Sequence, residues 1–298
     1  MRKNRGMASV DAIILAGGTG ERLGGVSKAD LDVSGRLLDR VLEGLSPLVD
    51  GTVVVVAPES VSVPAGVVRT MEDPPGGGPL AGVGAGLEAL GVPIDGLGGA
   101  GAASSDPRGG PEPDWEARAF EEAPKGLGEA SVEGAERLVL VCSVDSPGIA
   151  LLAPRILEAA RVSVAAGGDG AIARGGEPDP FDQYLQGVYR SSALVGALVG
   201  AASRSRAEAP SGSEYELDGG SAPECDGAPR GLLALGSGPH GRGARVSVEG
   251  RAGFGDRLHG CGVRRALRGL DLARVEAGDE CRDLDTPADL AHWRARLS

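Results

Sequence analysis

Several features that would point to particular functions are scarce in this chain. It has 30 Lys and Arg residues against 42 Asp and Glu, which gives a formal net charge of -12. This balance argues against nucleic-acid binding, because such binding depends on cationic side chains that neutralise phosphates. No apolar run reaches the length of a membrane span, and the first residues lack the pattern of a secretory signal. We therefore expect a protein that contacts neither nucleic acid nor membrane.

Closely spaced cysteine pairs are absent from the sequence, and lysine is rare. The four cysteines show no C-x-x-C spacing, so we expect reduced thiols rather than a disulfide framework or a zinc cluster. Reduced thiols favour a cytoplasmic location. Positive charge is carried almost entirely by Arg, since the lysines of the sequence are Lys3, Lys28 and Lys125. A lysine beside a glycine-rich loop, as Lys28 is, therefore stands out.

Glycine and proline, by contrast, are abundant, at 51 and 20 residues. They concentrate in two polar stretches without sustained periodicity, at about 91–134 and 201–243. We predict that both are flexible insertions, because they contain too little apolar surface to offset the entropy lost on ordering. Residues 1–7 are predicted to form a tail. The rest of 8–298, without the two insertions, has the size of a single domain.

The remaining sequence alternates strand patterns with helix patterns. Short aliphatic runs predict strands at 12–16, 52–57, 67–71 and 137–142, with shorter ones at 186–189 and 273–275. Apolar residues at helical spacing predict helices at 37–45, 80–90, 151–160, 192–199, 262–270 and 287–297. Thr286 is the predicted cap of the last helix. This alternation indicates an α/β fold with a mostly parallel central sheet.

A glycine-rich loop follows the first predicted strand, in L-A-G-G-T-G-E-R-L-G-G-V-S-K from Leu15 to Lys28. Glycines at this point let backbone N–H groups converge on an anion, and Arg22 and Lys28 add positive charge where a polyphosphate would lie. The combination is typical of phosphoryl or nucleotidyl transfer. Two other interpretations stay open: a plain surface turn, and a variant dinucleotide motif of an NAD(P)-dependent oxidoreductase with Glu59 on the ribose.

This loop resembles the signature loop of the MobA-like nucleotidyltransferases, above all that of the molybdenum cofactor guanylyltransferases. The matching residues are Leu15, Ala16, Gly17, Gly18, Arg22, Gly24 and Lys28. The resemblance implies a three-layer Rossmann-like sandwich of the nucleotide-diphospho-sugar transferase type. It also implies that the L-A-G-G residues and Lys28 bind the nucleotide. Arg22 and Lys28 would act in catalysis by holding phosphate charge.

Asp145 follows the fourth predicted strand, in C-S-V-D-S-P. Open α/β sheets bind their ligands beyond the carboxyl ends of such strands. Nucleotidyl transfer needs Mg²⁺, which carboxylates and phosphate oxygens hold. The family has an aspartate, a small residue and Pro at this point, so the resemblance implies that Asp145 binds both Mg²⁺ and the nucleotide.

Two further segments resemble motifs of the family. In the first, the implied nucleotide-binding residues are Asp73, Gly78, Pro79 and Leu80, of which the last three begin G-P-L-A-G; the alternative is a turn that leads into a helix. In the second, D-L-D-T-P, Asp285 is either part of a helix start or a second ligand for Mg²⁺. Asp283 would support that ligand.

The resemblance implies Mg²⁺-dependent transfer of GMP from GTP onto the phosphate of a molybdopterin-type acceptor, with release of pyrophosphate. The implied partners are GTP, a phosphorylated pterin and, in transient contact, other proteins of cofactor biosynthesis. Candidate residues for an anionic acceptor are Arg190, Arg264 and Arg265. Ser27 stands where the family usually has Asp, and both insertions are long. The alternatives are a cytidylyltransferase or another phosphate-acceptor nucleotidyltransferase, a degenerate nucleotide-binding regulatory homologue, and the oxidoreductase.

Overall fold

The computed structural model describes residues 8–18, 25–94, 137–176, 178–208 and 257–297. These residues form a seven-stranded sheet with the strand order β3-β2-β1-β4-β6-β5-β7. The strands are β1 Val10–Leu15, β2 Val53–Val56, β3 Val68–Thr70, β4 Leu138–Ser143, β5 Gly170–Gly175, β6 Phe181–Arg190 and β7 Leu272–Glu276. β6 runs antiparallel to β4 and β5, and the other neighbouring strands are parallel. The predicted mostly parallel sheet is confirmed.

Helices cover both faces of this sheet. Their bounds are α1 Leu37–Leu45, α2 Pro79–Ala89, α3 Ile149–Ala165, α4 Ser191–Glu208, α5 Val263–Leu267 and α6 Pro287–Leu297, with 3₁₀ turns at Lys28–Asp30 and Asp279–Cys281. Along β1, Ala12 and Ile14 pack into the core with α1 and α3, whereas Ile13 packs into the core with α2 and α4. Because successive residues of one strand enter two separate cores, the architecture is the predicted three-layer sandwich.

β5 and α4 differ most from the sequence prediction, and β6 and α3 are also longer than predicted. β5 was not predicted, because its aliphatic run is short and begins at Gly170, whose φ of +141° and close contact with the Val188 carbonyl both require glycine. α4 continues to Glu208, past the predicted start of the second insertion, because Ala201 and Ala202 are buried against the core. The tail, nearly all of the first insertion and the rest of the second lie outside the described residues.

The amino ends of the central strands carry paired charges. Asp11 on β1 is fully buried, accepts a hydrogen bond from the Thr52 backbone N–H and lies 2.7 Å from Arg137 Nη2. At the same edge, Arg190 of β6 contacts Asp169 at 2.6 Å. Each of these two carboxylates therefore has its own guanidinium.

In the part of the chain that the structure describes, no helix is long and apolar enough to cross a membrane.

Candidate active site

A cavity of about 610 Å³ lies beyond the carboxyl ends of β1 and β4. The backbone of the glycine-rich loop and the start of α2 form two of its walls. The predicted site residues that line it are Leu15, Gly17, Gly18, Lys28, Gly78, Pro79 and Asp145. Val144 N–H donates to the Leu15 carbonyl at 2.9 Å, so the loops that follow β1 and β4 are joined where they meet the cavity. This is the edge at which open α/β sheets bind ligands.

Lys28 contacts two carboxylates from distant parts of the chain at this cavity. The 3₁₀ turn that begins at Lys28 places its Nζ atom 2.7 Å from Asp145 Oδ2 and 2.5 Å from Asp285 Oδ1. Burial by itself would lower the pKa of Lys28, but the hydrogen bonds and charges of Asp145 and Asp285 outweigh it and raise that pKa. Lys28 is therefore a cation at neutral pH, held between two carboxylates.

Asp145 is held by its own loop and by a distant segment. Ser143 Oγ, at the end of β4, donates to Asp145 Oδ1, and the Asp145 carbonyl accepts a hydrogen bond of 2.6 Å from the Leu284 N–H. Ser143 was not identified from the sequence. Its position two residues before Asp145, at the end of a strand, is the signal that could have found it.

Asp285 is placed by the start of α6. The Thr286 Oγ1 atom accepts from the Asp289 N–H at 3.2 Å, and Asp289 Oδ2 accepts from the Thr286 N–H at 2.8 Å, which is a reciprocal cap. Burial opposes ionisation of Asp289, but hydrogen bonds from Thr286 and Arg282 outweigh it and lower its pKa to about 2. Since Thr286 and Asp289 cap the helix, the Asp285 side chain is left to contact Lys28.

Asp283 also lines the cavity and lies near the carboxylate of Asp145. Its side chain accepts a hydrogen bond of 2.8 Å from Ser146 Oγ. Burial, reinforced by the negative charge of Asp145, raises the pKa of Asp283 to about 6. Around Lys28 the carboxylates of Asp145 and Asp285 already outnumber the single ammonium. The cavity therefore carries an excess of negative charge beside its glycine-rich wall.

The donor set fits a hard divalent cation shared with a phosphate ligand. Two carboxylates converge on one cationic atom, and oxygen is the ligand that Mg²⁺ prefers. Within the described ranges there is no group of three or more His, Cys, Asp or Glu residues that could hold a metal ion by itself. Phosphate oxygens and water would therefore complete the coordination, as is usual for Mg²⁺ in sites that bind nucleotides.

Other predicted residues lie elsewhere. Ala16 and Leu80 are buried in the two cores, and neither lines the cavity. Asp73 is exposed on the turn before α2, and its neighbour Glu72 lines the cavity instead. A nucleotide contact by Asp73 stays a prediction. Arg22 lies outside the described residues.

The three candidate arginines for the acceptor separate in the structure. Arg264 lines the cavity beside Val263, whereas Arg265 lines a smaller pocket with His259. Arg190 pairs in register with Leu138, the first residue of β4, and so lies at the opposite end of the sheet. Of the three candidates, Arg264 is the one whose side chain lines the main cavity.

The fold, the cavity and a matching family model together identify a Rossmann-like nucleotidyltransferase. The sequence model of the MobA-like NTP transferase domain matches residues 12–209. The chain belongs to this family. This membership confirms the resemblance seen in the glycine-rich loop, and it decides against the oxidoreductase, whose predicted ribose ligand Glu59 does not line the cavity.

Three solved structures are similar to this chain at low identity. A 4-diphosphocytidyl-2C-methyl-D-erythritol synthase is 12% identical over 98% of this chain and 99% of that chain, with a TM-score of 0.51. Molybdopterin-guanine dinucleotide biosynthesis protein A from Archaeoglobus fulgidus is 15% identical over 96% and 98%, with a TM-score of 0.47. The 2-C-methyl-D-erythritol 4-phosphate cytidylyltransferase from Thermus thermophilus is 17% identical over 96% and 97%, with a TM-score of 0.46. No curated protein matches the chain.

Proposed function

We propose that this nucleotidyltransferase moves GMP from GTP onto the phosphate of a molybdopterin-type acceptor and releases pyrophosphate. The observation that carries the proposal is the Lys28 ammonium, held between Asp145 and Asp285 at the edge of a cavity with a glycine-rich wall. This arrangement supplies what nucleotidyl transfer needs, namely backbone donors, an ammonium beside the cavity and carboxylates. The choice of guanine and pterin rests on the likeness of the loop to the guanylyltransferases.

The chain's own residues would bind the triphosphate and hold its charge. Gly17 and Gly18 line the cavity without side chains, so their backbone can approach phosphate oxygens closely. Gly78, at φ +89°, turns the chain into Pro79 at the first position of α2, and this helix N-terminus also lines the cavity. Lys28 would hold charge on the phosphate that is transferred.

Mg²⁺, when bound, neutralises phosphate charge and so favours attack on phosphorus. Asp145 and Asp285 are the residues that would hold it, because their carboxylates already share one cation position. Ser143 orients Asp145 for this role, and the cap of α6 orients Asp285. Each carboxylate is thus fixed by a partner that would not itself contact the metal.

The transfer itself is an in-line displacement at the α-phosphorus. An oxygen of the acceptor phosphate forms the new P–O bond, and the bond from the α-phosphorus to the bridging oxygen breaks, so that pyrophosphate leaves with the electron pair. A phosphate acceptor is already ionised at neutral pH, so no general base is needed. Arg264, on the cavity wall, would bind an anionic group of the acceptor.

Two measurements test this proposal: one identifies the nucleotide that binds, and the other identifies the acceptor. Thermal unfolding is measured with GTP, CTP, ATP or NADPH, each with and without Mg²⁺, on the wild type and on Asp145→Asn. We expect stabilisation by GTP that needs Mg²⁺ and is lost in Asp145→Asn, because the variant lacks one carboxylate charge. Pyrophosphate release that depends on the phosphorylated pterin then identifies the acceptor.

Each alternative gives a different result. Stabilisation by CTP in place of GTP would replace guanylyl with cytidylyl transfer. Binding of GTP without pyrophosphate release would identify a nucleotide-binding regulator. Stabilisation by NADPH alone would contradict the proposal entirely.

A further inference from the structure

The two proposed metal-binding carboxylates lie on loops that are far apart in sequence. Asp145 follows β4 and Asp285 precedes α6, and Lys28 is separated from them by 117 and 257 residues. A mobile ammonium on a flexible stem cannot by itself fix the separation of two carboxylates. Other contacts must hold the loops together.

A buried amide lies where these loops meet. Gln186 is on β6, in register with Cys142 of β4, and the residue is 2% exposed. Its Nε2 atom donates to Ser146 Oγ at 3.0 Å and to the Cys281 carbonyl at 3.2 Å. One side chain thus contacts both the segment after Asp145 and the segment before Asp285.

Ser146 extends this contact to the second loop. Its Oγ accepts from Gln186 and donates to Asp283 Oδ1 at 2.8 Å. The Leu284 N–H donates to the Asp145 carbonyl at 2.6 Å, directly between the two carboxylate-bearing segments. We refer to Ser146, Gln186 and Asp283 together as the loop clamp.

Packing alone does not explain Gln186. Its Oε1 atom is buried without a hydrogen-bond partner, which is unfavourable in a protein interior. The following residues on β6, Val188 and Tyr189, fill the core with apolar surface. An apolar residue at 186 would avoid the unpaired carbonyl but would lose both contacts to the loops.

We propose that Gln186 and Ser146 are positioning residues, which fix the separation of Asp145 and Asp285 around the cation position. This rests on the proposed metal role of the two aspartates. Neither residue needs to touch the reacting atoms. Side chains that orient metal ligands in this way commonly change metal affinity by 10–100-fold when replaced.

The test compares Gln186→Met with Tyr189→Phe. Methionine has about the volume of glutamine but neither hydrogen bond. Tyr189 lies on the same strand, is fully buried and donates its hydroxyl to the Tyr184 carbonyl at 2.6 Å, so Tyr189→Phe also removes a buried hydrogen bond but not the clamp. Mn²⁺ affinity is measured by electron paramagnetic resonance on the protein saturated with a GTP analogue that cannot be hydrolysed, because phosphate oxygens complete the coordination.

We expect Gln186→Met to weaken Mn²⁺ binding by about tenfold or more and Tyr189→Phe to leave it unchanged. Ser146→Ala should weaken it by a similar factor, and the double variant should lose less than the product of the two factors, because both residues belong to one network. If Gln186→Met does not fold, Ser146→Ala carries the test. Equal weakening by Gln186→Met and Tyr189→Phe would overturn the proposal.

Hydrogen exchange separates failure of the clamp from failure of the proposed function. In the metal-free protein, the Leu284 N–H should exchange about tenfold faster in Gln186→Met than in the wild type or Tyr189→Phe. Unchanged Leu284 exchange and unchanged Mn²⁺ affinity would overturn the clamp and leave the proposed function standing. A wild type that binds no Mn²⁺ would overturn both. Absence of guanylyl transfer, with Mn²⁺ binding still sensitive to Gln186, would overturn the proposed function alone.

Discussion

The two ends of the central strands carry charged groups in opposite ways. At the amino ends, Asp11 is paired with Arg137 and Asp169 with Arg190. At the carboxyl ends, Asp145 and Asp285 share the ammonium of Lys28. The first end is balanced, whereas the second keeps an excess of negative charge.

The difference fits the role that we propose for each end. Asp11 Oδ1 is packed so closely that a Cβ atom on Gly51 would lie 2.2 Å from it, which leaves no room for a ligand. Lys28, Asp145 and Asp283, by contrast, line a cavity of about 610 Å³. Unbalanced charge that faces open space is free to bind a cation, while balanced charge in a packed edge serves the fold.

Removal of the Lys28 ammonium, at the cavity end of the strands, should have the largest effect on function. In Lys28→Met we expect turnover to fall by about a thousandfold or more, because charge on the transferred phosphate is no longer held. Stability should change little, because Asp285 is 47% exposed and water can solvate the carboxylates left behind. Pyrophosphate release and urea unfolding measure the two effects. Turnover within about threefold of the wild type would contradict the role of Lys28.

Removal of the Arg137 guanidinium, at the amino ends of the strands, should affect stability instead. Arg137→Met leaves the fully buried Asp11 without its guanidinium, and we expect a loss of about 3 kcal/mol in the free energy of unfolding. Turnover of the folded protein should match the wild type. Urea unfolding and turnover per folded molecule check the comparison, which would fail if Arg137→Met lost activity as Lys28→Met does.

The cap of α6, at the cavity end of the sheet, makes a pH-dependent contribution to the free energy of unfolding. The pKa of Asp289 is lowered to about 2 in the folded protein, so its stabilisation is fully present above its unfolded pKa near 4 and is lost as the pH falls to about 2. Asp289→Asn should therefore cost about 2 kcal/mol at pH 7 and almost nothing at pH 2. Urea unfolding of both proteins across this range gives the measurement. A difference that does not vary with pH would show that the charge of Asp289 is not responsible.

The smallest expected effect is on the KM for the acceptor, and it distinguishes Arg264 at the cavity from Arg190 at the opposite end of the sheet. Arg264 lines the cavity and Arg190 lies at the opposite end of the sheet. Arg264→Met should raise the KM for a phosphorylated acceptor by about fivefold, as expected for one exposed charge-assisted contact, with kcat and the KM for nucleotide unchanged. Arg190→Met should leave the acceptor KM at the wild-type value. Equal effects of the two substitutions would remove Arg264 from the acceptor site.

Parts of the site could be predicted because their chemistry is local. Lys28 stands in a glycine-rich loop after an aliphatic strand, and Asp145 stands just after another. Asp285 could not be resolved in this way, because D-T-P suits a helix start as well as a metal site. The structure separates the two uses: Thr286 and Asp289 cap the helix, and Asp285 contacts Lys28.

Gln186 could not be predicted, because its partners are remote. Ser146 and Cys281 lie 40 and 95 residues away, and a glutamine in an apolar strand does not indicate in sequence which groups it meets. β5 was missed for a related reason. Its few aliphatic residues form a strand because β6 and β7 pair with it on either side, and no local pattern carries that pairing.

The sequence by itself determined most of the strands and helices, the glycine-rich loop and the charges that follow the strand ends. These follow from periodicity, turn residues and composition over short stretches of chain. Only the tertiary structure decided that Lys28, Asp145 and Asp285 meet and that Arg190 and Arg264 lie at opposite ends. The physical reason is that a parallel sheet collects the carboxyl ends of distant strands along one edge, and strand order is set by packing of the whole chain.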